Sequence, residues 1–479
     1  MGKGVALILA VTTLFNTKGN FKKVAYIPEP IKTAYEINLT DNVEVLEVVD
    51  TNLLKVDIKG KERYITMSGI ETYKKDTKLG GYIHNYLKTK LEGKQVVFEK
   101  DPKSRLNMHH GYVWLDGELV NLELIKKGYA EVRKEEANYE FIEEEIVAKS
   151  NLKGIWGNTF KGELDHGNVV NPYVMHTYDQ MVEDLRVLKE MYPDLVEIEV
   201  LGQSVEGRDI ILVKLGKGDI KIHLNGSMHA REYFTTNVLM KMVDEYAYRY
   251  SLGENYGEYD VKSILDKVTM YIVPMVNPDG VNIAQKGLEG VKNPDKLKSM
   301  VMVPSIDGKV GYKYWKANAN GVDLNNQFEN RWENKVTGVY KPSSERFKGY
   351  YPLSEPEAKI LKELSDEYDF EIYASFHTKG RIIYWADFTV KDWDTLKPIA
   401  KGLSELTGYD LVEPLGPSNY GACYADWVRE TKQKPSFTIE LCPPGLYASF
   451  PDKDFDIEWE RVKYVGLYLA NEAIKLRGE

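Results

Sequence analysis

The run from Val268 to Val276, rich in β-branched and apolar residues and closed by Asn277-Pro278-Asp279-Gly280, is the stretch that most restricts the fold. It offers no polar face to water, so it reads as a strand buried on both sides and entering a turn. The rest of the chain supplies the elements that such a strand needs around it. A helix starts from Thr177 as N-cap, carries Met181, Leu185, Leu188 and Met191 on one face and stops at Pro193. Val196 to Val200 and Asp209 to Leu215 read as strands on either side of the Ser204-Val205-Glu206-Gly207-Arg208 turn. Ile220 to Leu224 is a short alternating strand, and Thr235 to Tyr250 carries Val238, Leu239, Met242, Val243 and Tyr246 at helical spacing. Phe370 to Phe376 and Phe437 to Leu441 are further strands, and Phe455 to Leu476 is a closing helix. Alternation of this kind specifies the α/β class.

A chain of 479 residues exceeds one ordinary core and is expected to form two domains, or three. With 43% hydrophobic and 28% charged residues it is globular rather than disordered, and its net charge of -10 argues against a nucleic-acid partner. No apolar run reaches the ~20 residues of a membrane-spanning helix. Met1-Gly2-Lys3 followed by Gly4 to Phe15 has the charge and length of the first two regions of a signal peptide, so residues 1–23 are assigned to one. A small-x-small cleavage site is missing; export to the cell wall or beyond is nevertheless favoured over a cytoplasmic location. The two cysteines, Cys423 and Cys442, are either one bridge in an exported protein or two free thiols.

Between Ile220–Leu224 and the helix that follows lies His229-Ala230-Arg231-Glu232. Side chains at the carboxyl ends of strands face the crevice where ligands bind in open α/β sheets, so this loop can present an imidazole and a carboxylate together. With 8 histidines in the chain, an HxxE pair alone is weak evidence, and a surface histidine beside a solvated glutamate is the plain alternative. His377, at the end of its strand, completes the two-histidine, one-carboxylate set of a catalytic zinc site, one ion per chain. Such an ion lowers the pKa of a bound water and polarises a carbonyl, and a nearby carboxylate can carry the proton to the leaving amine. Glu440, inside the Phe437–Leu441 strand, is the natural carboxylate, the alternative being a buried ion-pair partner. His223 suits a core or supporting role better than ligation.

The N-terminal third reads as short strands, Val43 to Ile58, Arg63 to Met67, Lys94 to Glu99 and Tyr112 to Leu115, followed by helices at Leu119 to Lys127 and Tyr139 to Ser150. A small five-stranded barrel with attached helices fits that order. Asp116-Gly117, Val120-Asn121, Leu124 to Ala130 and the closing Asn151-Leu152-Lys153-Gly154-Ile155-Trp156 resemble the staphylococcal-nuclease-like (thermonuclease) family, whose barrel is of the OB type. The resemblance places Asn52 and Glu71 at the calcium-binding acids, Lys74 at the general base, and Thr66 and Met108 at the two phosphate-binding arginines. Only Glu71 retains suitable chemistry, so the domain, residues 40–157, is read as inactive toward DNA. His109-His110 reads as surface or core histidines, because consecutive strand residues face opposite ways. The domain's role is then recognition of a wall polymer or protein, or scaffolding. Residues 158–170, rich in Gly, Asn and Asp, form a linker.

From residue 171 to 479 the chain resembles the zinc metallocarboxypeptidases of carboxypeptidase A type. The resemblance rests, in order, on Gly207-Arg208, the His229–Glu232 loop, Asn277-Pro278-Asp279-Gly280, Gly321-Val322-Asp323-Leu324-Asn325, His377, Asp426-Trp427 and Phe437-Thr438-Ile439-Glu440-Leu441. It implies an α/β/α domain with a mixed sheet, zinc held by His229, Glu232 and His377, Glu440 as general base, and substrate contacts from Arg231 and Asn325. Two positions depart from the family. Lys316 follows Trp315 where the family has an oxyanion-stabilising arginine, and it still offers a cation. Asn326 stands where an arginine grips a substrate's terminal carboxylate, and an asparagine cannot form that charged, bidentate clamp. Trp315 to Asn318 and Gly321 to Phe328 are similar to the branch of γ-D-glutamyl-diamino-acid peptidases acting on peptidoglycan peptides, in which the position after Leu-Asn is commonly acidic, so Asn326 departs from that pattern too. Arg381 is a candidate replacement for the anion contact, or a structural arginine, and Tyr420 is the candidate for the family's mobile tyrosine. The expected substrate is a peptide or muropeptide, cut at γ-D-glutamyl-diaminopimelate bonds; the alternatives are a broad metallocarboxypeptidase acting on ordinary peptides and a calcium-dependent nuclease acting through the N-terminal domain.

Overall fold

The structure is a computed structural model of the chain. It describes residues 10–14, 22–26, 40–102, 109–133, 139–157, 167, 169–305, 308–414, 420–444 and 453–478. Most of the stretch assigned to a signal peptide lies outside the described residues, and so does Met108. The chain divides into two compact units, one of residues 1–125 with 129–141, the other of residues 126–128 with 142–479.

The first unit is built on a curled sheet of β1 (Thr40–Asp50), β2 (Leu53–Ile58), β3 (Lys61–Met67), β4 (Gln95–Lys100) and β5 (His110–Leu115). Neighbours run in the order β3-β2-β1-β4-β5, and a parallel pairing of Thr66 and Met67 with His110 and Gly111 closes the barrel. The single apolar run from Val43 to Ile58 is in fact two strands, because Asp50 pairs with Leu53 and the Asp50 carboxylate accepts from the Thr51 amide to form a tight turn. A helix that the strand pattern does not announce, α1 (Lys78–Leu91), packs Leu79, Ile83, Leu87 and Leu91 into the core. Gly80 and Gly81 weaken its first turn by propensity. Gly80 is demanded by packing, since a Cβ there would lie 1.8 Å from the Lys74 carbonyl oxygen. The α2 helix (Val120–Lys126) carries the fully buried Asn121. Its amide donates to the carbonyls of Ser68 and Gly111, and its oxygen accepts from the Val113 amide.

The second unit takes in α3 (Tyr139–Ser150) from Ile142 onward, so the compact units part well before residue 157. The reason is local: the buried Lys149 ammonium sits over the Trp156 and Tyr173 rings and pairs with Glu145 and Asp456. The end of the expected linker is also packed, with Val169 and Val170 buried and the Gly167 and Val170 amides donating to Glu245 and Asp244. Thr177 caps α4 (Tyr178–Met191) as its sequence implies.

The strands that follow are β6 (Val196–Gln203), β7 (Asp209–Gly216), β8 (Ile220–Asn225), β9 (Val268–Val273), β10 (Ile372–Thr378), β11 (Ile382–Tyr384), β12 (Asp410–Leu411) and β13 (Ser436–Leu441). They form one mixed sheet in the order β6-β7-β9-β8-β10-β13-β11-β12. Its centre, β9-β8-β10-β13, is parallel, and every residue of β9 is buried. Helix α5 (Phe234–Leu252) lies in the apolar core of that sheet through Val238, Leu239, Met242, Val243 and Tyr246. The closing helix is broken into Lys453–Val462 and Val465–Arg477. The break falls where the Lys463 carbonyl accepts from the Tyr246 hydroxyl and Gly466 lets the chain approach the Tyr246 ring. Cys423 and Cys442 are not joined in a disulfide.

Replacing Asn121 with leucine keeps the branched outline of the side chain but removes the partner of the Val113 amide and of the Ser68 carbonyl, and one of the two donors to the Gly111 carbonyl. The expected loss is about 3 kcal/mol, read as a lowered denaturation midpoint of the barrel's transition; an unchanged midpoint would show that the asparagine does not close the barrel.

Candidate metal centre and active site

Three adjacent parallel strands deliver the site. The loop after β8 carries His229 and Glu232, β10 carries His377, and β13 carries Glu440. Register fixes the meeting point, because Asn225 pairs with Ser375, Ser375 with Thr438, and His377 with Glu440. The loop after β8 is tightly bracketed. Gly226 has no room for a Cβ between Leu239 and Thr235, the Ala230 amide donates to the Lys316 carbonyl, and the Asn277 amide donates to the carbonyls of both Met228 and Ala317. Asn277 thus ties the end of the buried strand to the two segments that carry His229 and Lys316.

His229, Glu232 and His377 are all buried. Glu232 Oε1 lies 3.0 Å from His229 Nδ1, Glu232 Oε2 lies 2.9 Å from His377 Nδ1, and the two Nδ1 atoms are 3.0 Å apart. Among the described residues this is the only grouping of three metal-capable side chains. Burial alone would raise the Glu232 pKa, but the imidazoles of His229 and His377 hold its carboxyl well below the usual range. Four electron-pair donors facing one another out of water need a cation or protons among them, and two imidazoles with one carboxylate match the ligand set of catalytic zinc. On the far side of His229, Nε2 faces Asp323 Oδ1 at 3.3 Å, although the two are not aligned as a hydrogen bond. A proton on Nε2 beside that carboxylate leaves the Nδ1 lone pair for a metal. Burial opposes the charge on Asp323, yet Lys316 and His229 keep its carboxyl far below the ordinary value.

Glu440 stands beside this cluster. Burial pushes its pKa up to about 7, with His377 lowering it and Glu232 raising it, and with Lys316 and Arg231 favouring the charged form. Lys316 Nζ is 3.4 Å from Asp323 Oδ2, and Arg231 Nη1 donates to Glu345 at 2.7 Å and to the Tyr314 carbonyl at 3.0 Å. Both cations therefore reach the charges of the site while anchored to neighbouring carboxylates. His223 is a core residue: burial pulls its pKa down to about 4, and Nδ1 faces the Tyr271 carbonyl.

The remaining residues singled out by sequence are placed less uniformly. Asn325 accepts from the Tyr424 amide, and Asn326 is half-buried beside it. Arg381 departs from the anion-contact expectation: its Nε and Nη2 both donate to the buried Glu458, which also accepts from Tyr409 and the Cys442 amide. Tyr420 donates to the Ala386 carbonyl, and residues 415–419 just before it lie outside the described residues. In the barrel, Thr66 bonds the His110 ring and Asn52 accepts from the Met67 amide. Three participants escaped the sequence reading. Asp323 was visible only as part of a motif, Glu345 gave no signal, and Tyr384 reaches the field of Glu440 only through the antiparallel pairing of β11 with β13.

Asp323→Asn preserves shape but removes the charge facing His229 and Lys316. Zinc affinity is expected to fall about 10- to 100-fold, measured by competition with a chelator; unchanged affinity would leave Asp323 without a role at the metal.

Comparison with known proteins agrees with this geometry. The zinc carboxypeptidase family matches residues 181–464, and the staphylococcal nuclease homologue family matches residues 63–158. The gamma-D-glutamyl-L-diamino acid endopeptidase 1 of Lysinibacillus sphaericus is 30% identical over 309 residues, covering 63% of this chain and 73% of that protein. The uncharacterized protein YqgT of Bacillus subtilis (strain 168) is 31% identical over 269 residues, covering 55% and 69%. Carboxypeptidase B of Astacus astacus is 29% identical over 291 residues, covering 57% and 88%. A buried His-Glu-His cluster at the ends of parallel strands, with a carboxylate beside it and the family's pattern across more than half its length, makes this chain a member of the zinc carboxypeptidase family and a metallopeptidase.

Proposed function

We propose that this metallopeptidase hydrolyses γ-D-glutamyl-diaminopimelate bonds of peptidoglycan peptides, with His229, Glu232 and His377 holding one zinc ion. The observation that carries the reading is Asn326, in the position where a carboxypeptidase of the A type needs an arginine to seize the substrate's terminal carboxylate. A neutral amide there removes the anchor for plain carboxypeptidase action. The similarity to a γ-D-glutamyl-diamino acid endopeptidase supplies the alternative bond.

Zinc, when bound, supplies Lewis-acid polarisation and a water of lowered pKa. The rest falls to side chains of the chain itself. Glu440 takes the proton of the attacking water and returns it to the leaving amine nitrogen, as a general base and then a general acid. Lys316 and Arg231 set positive charge near the carbonyl oxygen as it becomes anionic. Asp323 keeps Lys316 charged and His229 oriented. Tyr420 and Asn325 are assigned to the substrate side of the site. The barrel unit is read as an inactive nuclease relative that recognises a wall polymer or protein, and the whole chain as exported. Among the described residues no helix is long and apolar enough to cross a membrane.

Glu440→Gln is expected to lower kcat about 100- to 10,000-fold while zinc content stays at one per chain. Retained activity would remove Glu440 from the proton path. Because the base works deprotonated, kcat/KM should rise with pH through its pKa. Burial sets that value near 7 without the ion, and a bound dication lowers it. An acid limb centred at or below neutrality follows, and a rate unchanged from neutral to strongly acid pH, with zinc retained, would contradict it. Mass analysis of digests decides the substrate: scission between glutamate and diaminopimelate supports the proposal. Release of C-terminal residues from ordinary peptides alone defeats it.

A further inference from the structure

The cations around the metal centre are not equivalent. Glu345, itself buried, bridges two guanidinium groups, with Oε2 2.7 Å from Arg231 Nη1 and Oε1 3.2 Å from Arg346 Nε. Arg231 is mostly enclosed and its Nη1 also holds the Tyr314 carbonyl, while Lys316 is held by Asp323. The Arg346 side chain is 49% exposed; its Nε makes the nearest approach to Glu345, and no hydrogen bond joins its terminal nitrogens to another of the described residues.

Its backbone is fixed to the centre. The Arg346 amide donates to Asp323 Oδ2 at 3.3 Å, and the other oxygen of that carboxylate faces His229 Nε2. Residue 346 adopts φ +70, a left-handed conformation that disfavours residues bearing a side chain. Glycine or asparagine would hold the same turn more easily, so the turn alone does not account for an arginine. What arginine adds is a planar, permanently charged fork beside the site, suited to a carboxylate.

We infer that Arg346 is a specificity-determining residue that binds a substrate carboxylate next to the scissile bond. The inference rests on the γ-D-glutamyl reading and sharpens it. In a γ-linked glutamate the chain runs through the side-chain carboxyl, so the α-carboxylate stays free a few bonds from the carbonyl under attack. An α-linked peptide has no main-chain anion there. Asn326 offers that anion no charge, Arg381 is held by Glu458, and Arg231 and Lys316 are already engaged by carboxylates. Arg331 is paired with Glu430, and of the cations linked to the metal-capable cluster through Asp323 and Glu345 the half-exposed guanidinium of Arg346 remains.

The test compares two muropeptides that differ only in this group, one with a free α-carboxylate on the γ-linked glutamate and one with the α-carboxamide. The native enzyme should favour the free acid by about 10-fold or more in kcat/KM, mainly through KM. In Arg346→Gln the ratio should fall toward one, and Arg346→Lys should restore part of it, with zinc content equal in all three. Arg346→Gly, which suits the left-handed backbone, should behave as the glutamine variant does and separates charge from folding. Native-like discrimination in the glutamine and glycine variants, or equal rates for acid and amide in the native enzyme, would overturn the assignment. If only α-linked peptides are cleaved, the substrate reading itself has failed. Arg346 is then judged on peptides with Glu or Gln before the scissile bond: loss of a Glu preference on mutation supports it, and an unchanged ratio refutes it.

Discussion

Glu232 lies out of water between two imidazole nitrogens, and much of the larger unit serves to hold it there. A carboxylate and two ring nitrogens crowded within hydrogen-bond distance are mutually repulsive unless a cation or protons sit among them. The protein resists that repulsion through the sheet. His377 is paired with Glu440 of β13, β8 holds the other side of β10 as far as Ser375, and the His229 loop is pinned by Gly226, Ala230 and Asn277. The side chains are therefore preorganised for a metal.

Charge radiates outward from this centre in alternating shells. Asp323 stands behind His229 and holds Lys316; Glu345 stands behind Arg231 and reaches Arg346. Each cation is held in place by a buried carboxylate, so positive charge is fixed close to the metal-capable cluster. The same arrangement ranks the cations by freedom. Lys316 and Arg231 are fixed by their partners, whereas Arg346 keeps donors available at the surface.

The barrel shows the opposite use of polar groups. Asn121 completes hydrogen bonds that the curled sheet leaves open, and Thr66 and Asn52 bond the barrel's own His110 and backbone.

Much was legible in the residues alone. Periodicity, caps and turn residues located the buried strand at Val268, the helix after Thr177 and the α/β alternation, because these are local preferences written over a few residues. Side-chain chemistry nominated His229, Glu232, His377 and Glu440. Local pattern failed where a distant partner decided the outcome. Tyr246 breaks the closing helix, Lys74 dictates Gly80 in a helix the pattern hid, Lys149 draws α3 into the larger unit, and Glu458 claims Arg381. The sequence by itself determined which groups could bind a metal and move a proton. Only the tertiary structure decided that strand register brings them together, and which carboxylate holds each cation, since those pairings join residues far apart in the chain whose attraction depends on distance and burial rather than on neighbouring sequence.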